Sequence, residues 1–125
     1  MAKAANSNFI DGAFNYIKNS ADVITYTLCS AQPTTRAEAV TTFMLGSTTL
    51  NKASELTLAA GDTSGRKMTV SAKPGVPVTN TGTGNHVAIC DATNVLFVTT
   101  CTSQAVSAGG TADIGLWKDE IAAPV

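Results

Sequence analysis

Apolar and polar residues alternate most cleanly over residues 22–29. Ile24, Tyr26 and Leu28 fall on one side, and Val23, Thr25, Thr27 and Cys29 on the other. A period of two marks a β-strand, here with a richer apolar face and a threonine face. Similar strand segments recur at 66–72, 76–79, 86–90, 95–101 and 111–117, separated by Pro74-Gly75, Thr81 to Gly84, Asp91 to Asn94 and Gly109-Gly110. Gly, Pro, Asn and Asp in such clusters are turn signals. The stretch 85–117 therefore reads as three strands whose two faces are both apolar or threonine-rich. Strands at this spacing, with Gly-rich turns between them, indicate a mainly β chain: an antiparallel β-sandwich or jelly-roll-like domain.

The period changes near the N-terminus. Over residues 8–20, Phe9, Ala13 and Ile17 recur at i, i+4 and i+8, with Ile10 and Phe14 beside them. This spacing predicts a short helix, with Ser7 or Asn8 as N-cap, Asp11 in the first turn and Asn19-Ser20 as the stop. Gly12 weakens such a helix by about 1 kcal/mol relative to alanine, which suggests close packing there. Thr35 and Glu38 have the spacing of a capping box for a helical turn over 35–43. Met44, Leu45 and Leu50 suggest a short strand or a packed arm around Gly46, while residues 51–66 give no clear period. The expected organisation is one domain over residues 1–125, with 1–8 as a mobile N-terminal arm and 119–125 as a mobile tail.

Composition narrows the function classes. Charged residues make up 14% of the 125-residue chain, and nineteen threonines supply polarity without charge. The net charge is −1 and the lysines are scattered, so no basic field for nucleic acid is expected. No apolar run approaches membrane-spanning length, and the opening MAKAANSNF has no apolar signal core. The expectation is a protein kept in a cytoplasm until it is assembled or released, without a nucleic-acid or membrane partner. Cys29, Cys90 and Cys101 show no CxxC spacing, and there is one histidine, which disfavours zinc. If residues 91–94 form the turn, Cys90 faces about Val95 and Cys101 about Gly84, too far apart to pair. All three read as buried thiols.

The residues that carry chemistry do not form a constellation. His86 as a general base would need Asp91 or Asp62, but Asp91 is five residues on in the same strand, about 17 Å away if extended. Gly61 to Lys67, GDTSGRK, lacks phosphate-loop spacing and precedes a strand rather than a helix. Arg66 suits an ion pair within the chain or across an interface. Asp119 and Glu120 are neighbours on a strand and face opposite ways. Asp62, Asp91 and Asp113 lack calcium-loop spacing. Trp117 is read as core rather than as a binding platform, and Gly115 beside it as a bulge or close approach. No catalytic, cofactor-binding or metal-ligating residue is assigned, and no cofactor is expected.

The segments FIDGAFNYIKNSA (9–21), LCSAQPTTRAEA (28–39), SGRKMTVSA (64–72), TGTGNHVAI (81–89) and LFVTTCTSQAVSAGGTADIGLWKDEIAAP (96–124) run through most of the chain. In order and spacing they resemble small structural proteins of tailed bacteriophages. That resemblance implies a non-enzymatic virion component on the phage head surface. In this role it is a capsid decoration, or cement, protein bound to the major capsid protein and assembled as a homotrimer or homodimer. A small tail or fibre-associated protein, including a host-surface or glycan-binding module, is the alternative, and a small β-fold enzyme dependent on His86 a third.

Overall fold

The computed structural model describes residues 5–122. The chain is mainly β, and every strand pairing is antiparallel. It divides into two compact units. One comprises Met1–Ser20, Asn51–Ser71 and Leu116–Val125, as far as these are described; the other comprises Ala21–Leu50 and Ala72–Gly115. The outer parts of the expected arm and tail, 1–4 and 123–125, lie outside the described residues.

The discontinuous unit contains the helices and a three-stranded sheet. The expected single helix is two: α1 (Ser7–Ile10) and α2 (Gly12–Lys18), parted at Asp11. Asn6, not Ser7 or Asn8, is the cap of α1, its side chain accepting from the Asn8 N–H at 2.8 Å. The Asp11 carboxylate accepts two hydrogen bonds from Arg66, of 2.9 and 3.1 Å, a charge-assisted pair. The sheet has the order β3-β4-β9, formed by Leu56–Ala60, Arg66–Val70 and Trp117–Ile121. Residues 119–121 thus pair in β9 instead of forming a loose tail. Phe14, Ile17, Leu56, Met68 and Val70 are the buried apolar side chains here. The Lys18 ammonium ties the end of α2 to the sheet by donating to the Lys52 and Leu56 carbonyls at 2.9 and 2.6 Å.

The second unit is built on a four-stranded sheet of order β2-β1-β6-β7, from β1 (Thr25–Cys29), β2 (Met44–Thr49), β6 (Gly82–Cys90) and β7 (Val95–Val106). A two-stranded sheet pairs β5 (Lys73–Pro77) with β8 (Thr111–Ile114). Register places Tyr26 beside Ile89, and Leu28 beside Val87, on one face. Thr27, Cys29, Ala88 and Cys90 occupy the other, and all eight are fully buried or nearly so. The second face is covered from residues 36–43: Cys29, Ala39, Ala88 and Cys90 cluster with Val40, Phe43, Val95 and Val98. That covering segment contains the Glu38–Thr42 π turn, and its expected capping box is present. Glu38 N–H donates to Thr35 Oγ1, and Thr35 N–H donates back to the Glu38 carboxylate, each at 3.2 Å. Thr27, on the face expected to be the polar one, is buried with its hydroxyl 3.4 Å from the Cys29 sulfur.

Glycine signals account for two differences from the expected strands. Residues 81–84 were expected as a turn, but Gly82 and Gly84 lie within β6. A Cβ on Gly84 would come within 2.6–2.7 Å of the Leu28 side chain, and one on Gly82 within 2.9 Å of Leu45, so these glycines make room for packing. Pro74-Gly75 lies inside β5, where the register shifts between Lys73 and Val76 and Gly75 takes a φ of +69°. The segment that gave no clear period contains β3, and the expected strand 111–117 divides into β8 and the start of β9. No bulge or close approach marks Gly115, whose added Cβ would meet nothing within 4 Å.

Candidate interaction surface

In the unit that contains the helices, the exposed positions of α1 and α2 form a stripe. Phe9, Gly12, Ala13 and Tyr16 fall at i, i+3, i+4 and i+7, and all are exposed. Phe9 is 82% and Tyr16 61% exposed. The apolar periodicity therefore joins two faces: Phe14 and Ile17 turn inward, while Phe9 and Ala13 turn to solvent. A Cβ on Gly12 would meet nothing within 4 Å, so its own chain does not require the glycine for packing. Two aromatic rings at these exposures present roughly 250–300 Å² of surface, taking about 200 Å² per ring. Isolated exposed apolar residues are ordinary, but two rings at helical spacing with small residues between them form an organised patch.

Ion pairs fix the hairpin between β3 and β4. Asp62 accepts from the Lys67 and Lys118 ammonium groups, each at 2.6 Å. The bond from Lys118 and then that from Lys67 hold the Asp62 carboxyl down at about 2. The same pairing raises the Lys118 ammonium. The Glu120 carboxylate accepts the Thr63 N–H at 2.9 Å, and Gly61 N–H closes on the Gly65 carbonyl at 2.9 Å. GDTSGRK is thus a hairpin leading into β4, with its acidic side chain neutralised by lysines. Asp119 is half-buried, and burial raises its carboxyl. Arg66 takes the intrachain alternative by pairing with Asp11. Trp117 is half-buried in β9, opposite Val70.

The His86 and Asp91 side chains have separate partners. His86 lies within β6 rather than at its start, and its Nδ1 is 2.6 Å from the Asn85 side-chain oxygen. The Asp91 carboxylate accepts from Asn94 N–H at 2.6 Å and Thr93 N–H at 2.8 Å, bonds that lower its pKa and close the expected turn. Arg36 Nε donates to the Asp91 carbonyl at 2.7 Å, fastening the covering segment to this turn. Cys90 faces Val95, as its spacing predicts. All three cysteines are free; Cys29 and Cys90 are buried, whereas Cys101 is half-buried. Burial pushes the Cys90 thiol up to about 11 and also raises Cys29 and Cys101.

Among the described residues, no three His, Cys, Asp or Glu side chains gather as a metal-binding group, and no helix is long and apolar enough to cross a membrane. The sequence expectations assigned no residue to the α1–α2 patch as a site. Its i, i+3, i+4, i+7 spacing was present in the sequence, but the inward and outward apolar residues share that period. Compared with protein families, curated proteins and solved structures, the chain matches none.

Proposed function

We propose that this chain is a non-enzymatic structural protein of a bacteriophage virion, a decoration protein that binds the major capsid protein lattice on the head surface. The observation that carries this reading is the exposed Phe9–Gly12–Ala13–Tyr16 patch, an apolar contact surface on a chain with few charges. Its rings supply contact area, and Gly12 and Ala13 allow a partner close to the helix backbone. The sequence resemblance supplies the kind of partner. In this reading the four-stranded sheet and the β5–β8 pair are sheets of a jelly-roll-like sandwich. Val76, Val78, Ala112 and Ile114 are buried in the same unit as Tyr26, Leu28, Val87 and Ile89, which supports that packing.

The alternative of a tail-borne glycan-binding module calls for aromatic side chains clustered in a loop region. The two most exposed rings lie instead on α1 and α2.

The test is reconstitution on purified heads that lack this protein. The wild-type chain is expected to bind them, and Phe9→Ser/Tyr16→Ser to bind at least tenfold more weakly while keeping its circular dichroism spectrum. Equal binding by the two proteins would remove the patch as the contact surface, and no binding by wild type would refute the decoration role.

A further inference from the structure

We infer that Asp119 makes the seating of β9 on β4 an acid-tightened latch: the strand is held more firmly with this carboxyl protonated and opens more readily with it ionised. β9 is the last strand of its sheet and is joined to it through β4. Burial alternates along it, with Trp117, Asp119 and Ile121 half-buried and Lys118 and Glu120 exposed. Register sets Asp119 opposite Met68, with Leu58 beyond it on β3. Directly opposed residues on neighbouring strands share a face. Asp119 therefore lies on the face that carries the buried Leu56, Met68 and Val70. Arg66, on that same face, binds Asp11 between α1 and α2, so the helices lie on this side of the sheet.

The charged groups around Asp119 are engaged elsewhere. Arg66 is held by Asp11 at 2.9 and 3.1 Å. β3 contributes Leu56, Leu58 and Ala60 to this face, none of them charged. Lys18, from α2, donates to the Lys52 and Leu56 carbonyls, and the Glu55 carboxylate, before β3, accepts the Asn51 N–H. Lys67, Lys118 and Glu120 point to the opposite face, where both lysines bind Asp62. Among the described residues no cation pairs with Asp119; its carboxylate accepts the N–H of the adjacent Glu120.

A carboxylate held against apolar surface without a cation is penalised, and its protonated form is not. Burial accordingly raises the Asp119 carboxyl. A raised carboxyl contributes stability that is fully present below the unfolded value near 3.8 and is lost as pH rises through the folded midpoint. Asp62, Asp91 and Glu38 are shifted the opposite way, so acid weakens their bonds while it firms β9.

The latch reaches beyond its own strand. Lys118 holds Asp62 at 2.6 Å, and Glu120 accepts the Thr63 N–H at 2.9 Å, so opening β9 also frees the β3–β4 hairpin. A terminal strand with one neighbour can open without unfolding the rest of the chain. An inward charge on an edge strand also guards against stray strand pairing, but a guard of that kind has no pH dependence of its own. The latch is independent of the virion role and of the α1–α2 patch.

The test is backbone hydrogen exchange of the full chain at pH 4 and pH 7.5, read as protection factors, on wild type and Asp119→Asn. At pH 7.5 the amides of 117–121 and of Thr63 are expected to be at least threefold better protected in Asp119→Asn, with 86–90 unchanged; at pH 4 the two proteins should agree. NMR titration of the wild-type carboxyls reads the same group without a substitution, and the Asp119 midpoint is expected above 3.8. A midpoint at or below 3.8, or equal protection of 117–121 in both proteins at pH 7.5, would overturn the inference. A gain in Asp119→Asn of the same size at both pH values would reduce Asp119 to a fixed edge guard and overturn it too.

Discussion

Gly84→Ala separates local propensity from packing. Replacing glycine with alanine where the backbone can accept it stabilises a protein by about 0.4–1 kcal/mol through the unfolded chain. Here the added methyl would lie 2.6, 2.7 and 2.7 Å from Cγ, Cδ1 and Cδ2 of Leu28. Leu28 is fully buried on β1, flanked in register by Gly46 on β2 and Val87 on β6, so it has little freedom to withdraw. Overpacking a filled core costs about 1–3 kcal/mol, leaving a net loss of up to about 2.5 kcal/mol after the unfolded-state gain. For a chain of this size each kcal/mol corresponds to roughly 3–6 °C in Tm. Urea unfolding of the wild type, Gly84→Ala, Leu28→Ala and the double variant measures the effect. Leu28→Ala alone should cost about 2–5 kcal/mol. The double variant should be more stable than additivity predicts, by about 1 kcal/mol or more, because the new methyl enters vacated space. A stabilised Gly84→Ala, or an additive cycle, would refute the steric account of this glycine.

Three further predictions address the surface and the thiols. The Asp62 carboxyl should titrate near 2 by NMR; Lys118→Ala should move the midpoint up towards 3.8 more than Lys67→Ala does. Because the folded pKa is depressed, Asp62 contributes stability above its unfolded value near 4 and loses it as pH falls towards 2; a pH series of Tm on wild type and Asp62→Asn tests this sign. Gly12→Ala should stabilise the isolated chain by about 0.5–1 kcal/mol, because a methyl there has open space, yet weaken head binding through the patch; equal or tighter binding would contradict close approach at this position. With iodoacetamide at pH 8, Cys101 should react before Cys29 and Cys90, as it alone is half-buried; earlier labelling of Cys90, whose thiol is held near 11, would contradict the burial described.

Much of the local structure was legible in the sequence because its causes are local. The alternation over residues 22–29 located β1, the Thr35–Glu38 spacing located a capping box, and Asp91 to Asn94 formed the expected turn. Long-range causes were hidden. The Asp11 carboxylate is engaged by Arg66, fifty-five positions away. Gly82 and Gly84 have turn-like identities, but their role depends on Leu45 and Leu28 arriving from other strands. The alternation marked a threonine face on β1 but not that residues 36–43 cover it. The two units were hidden for a similar reason: one is assembled from three separated chain segments, and no compositional linker marks their boundaries. On the α1–α2 stripe, the helical period predicted apolar positions but did not distinguish Phe9, which is exposed, from Phe14, which is buried.

The most direct test of the proposed role is quantitative mass spectrometry of purified virions during a gentle denaturant titration, with electron microscopy of the same particles. The account predicts this chain in many copies per head, released while the shell remains closed, and intact but fragile heads when it is missing. Its absence from purified virions, or recovery only with detached tails, would contradict the head-decoration role.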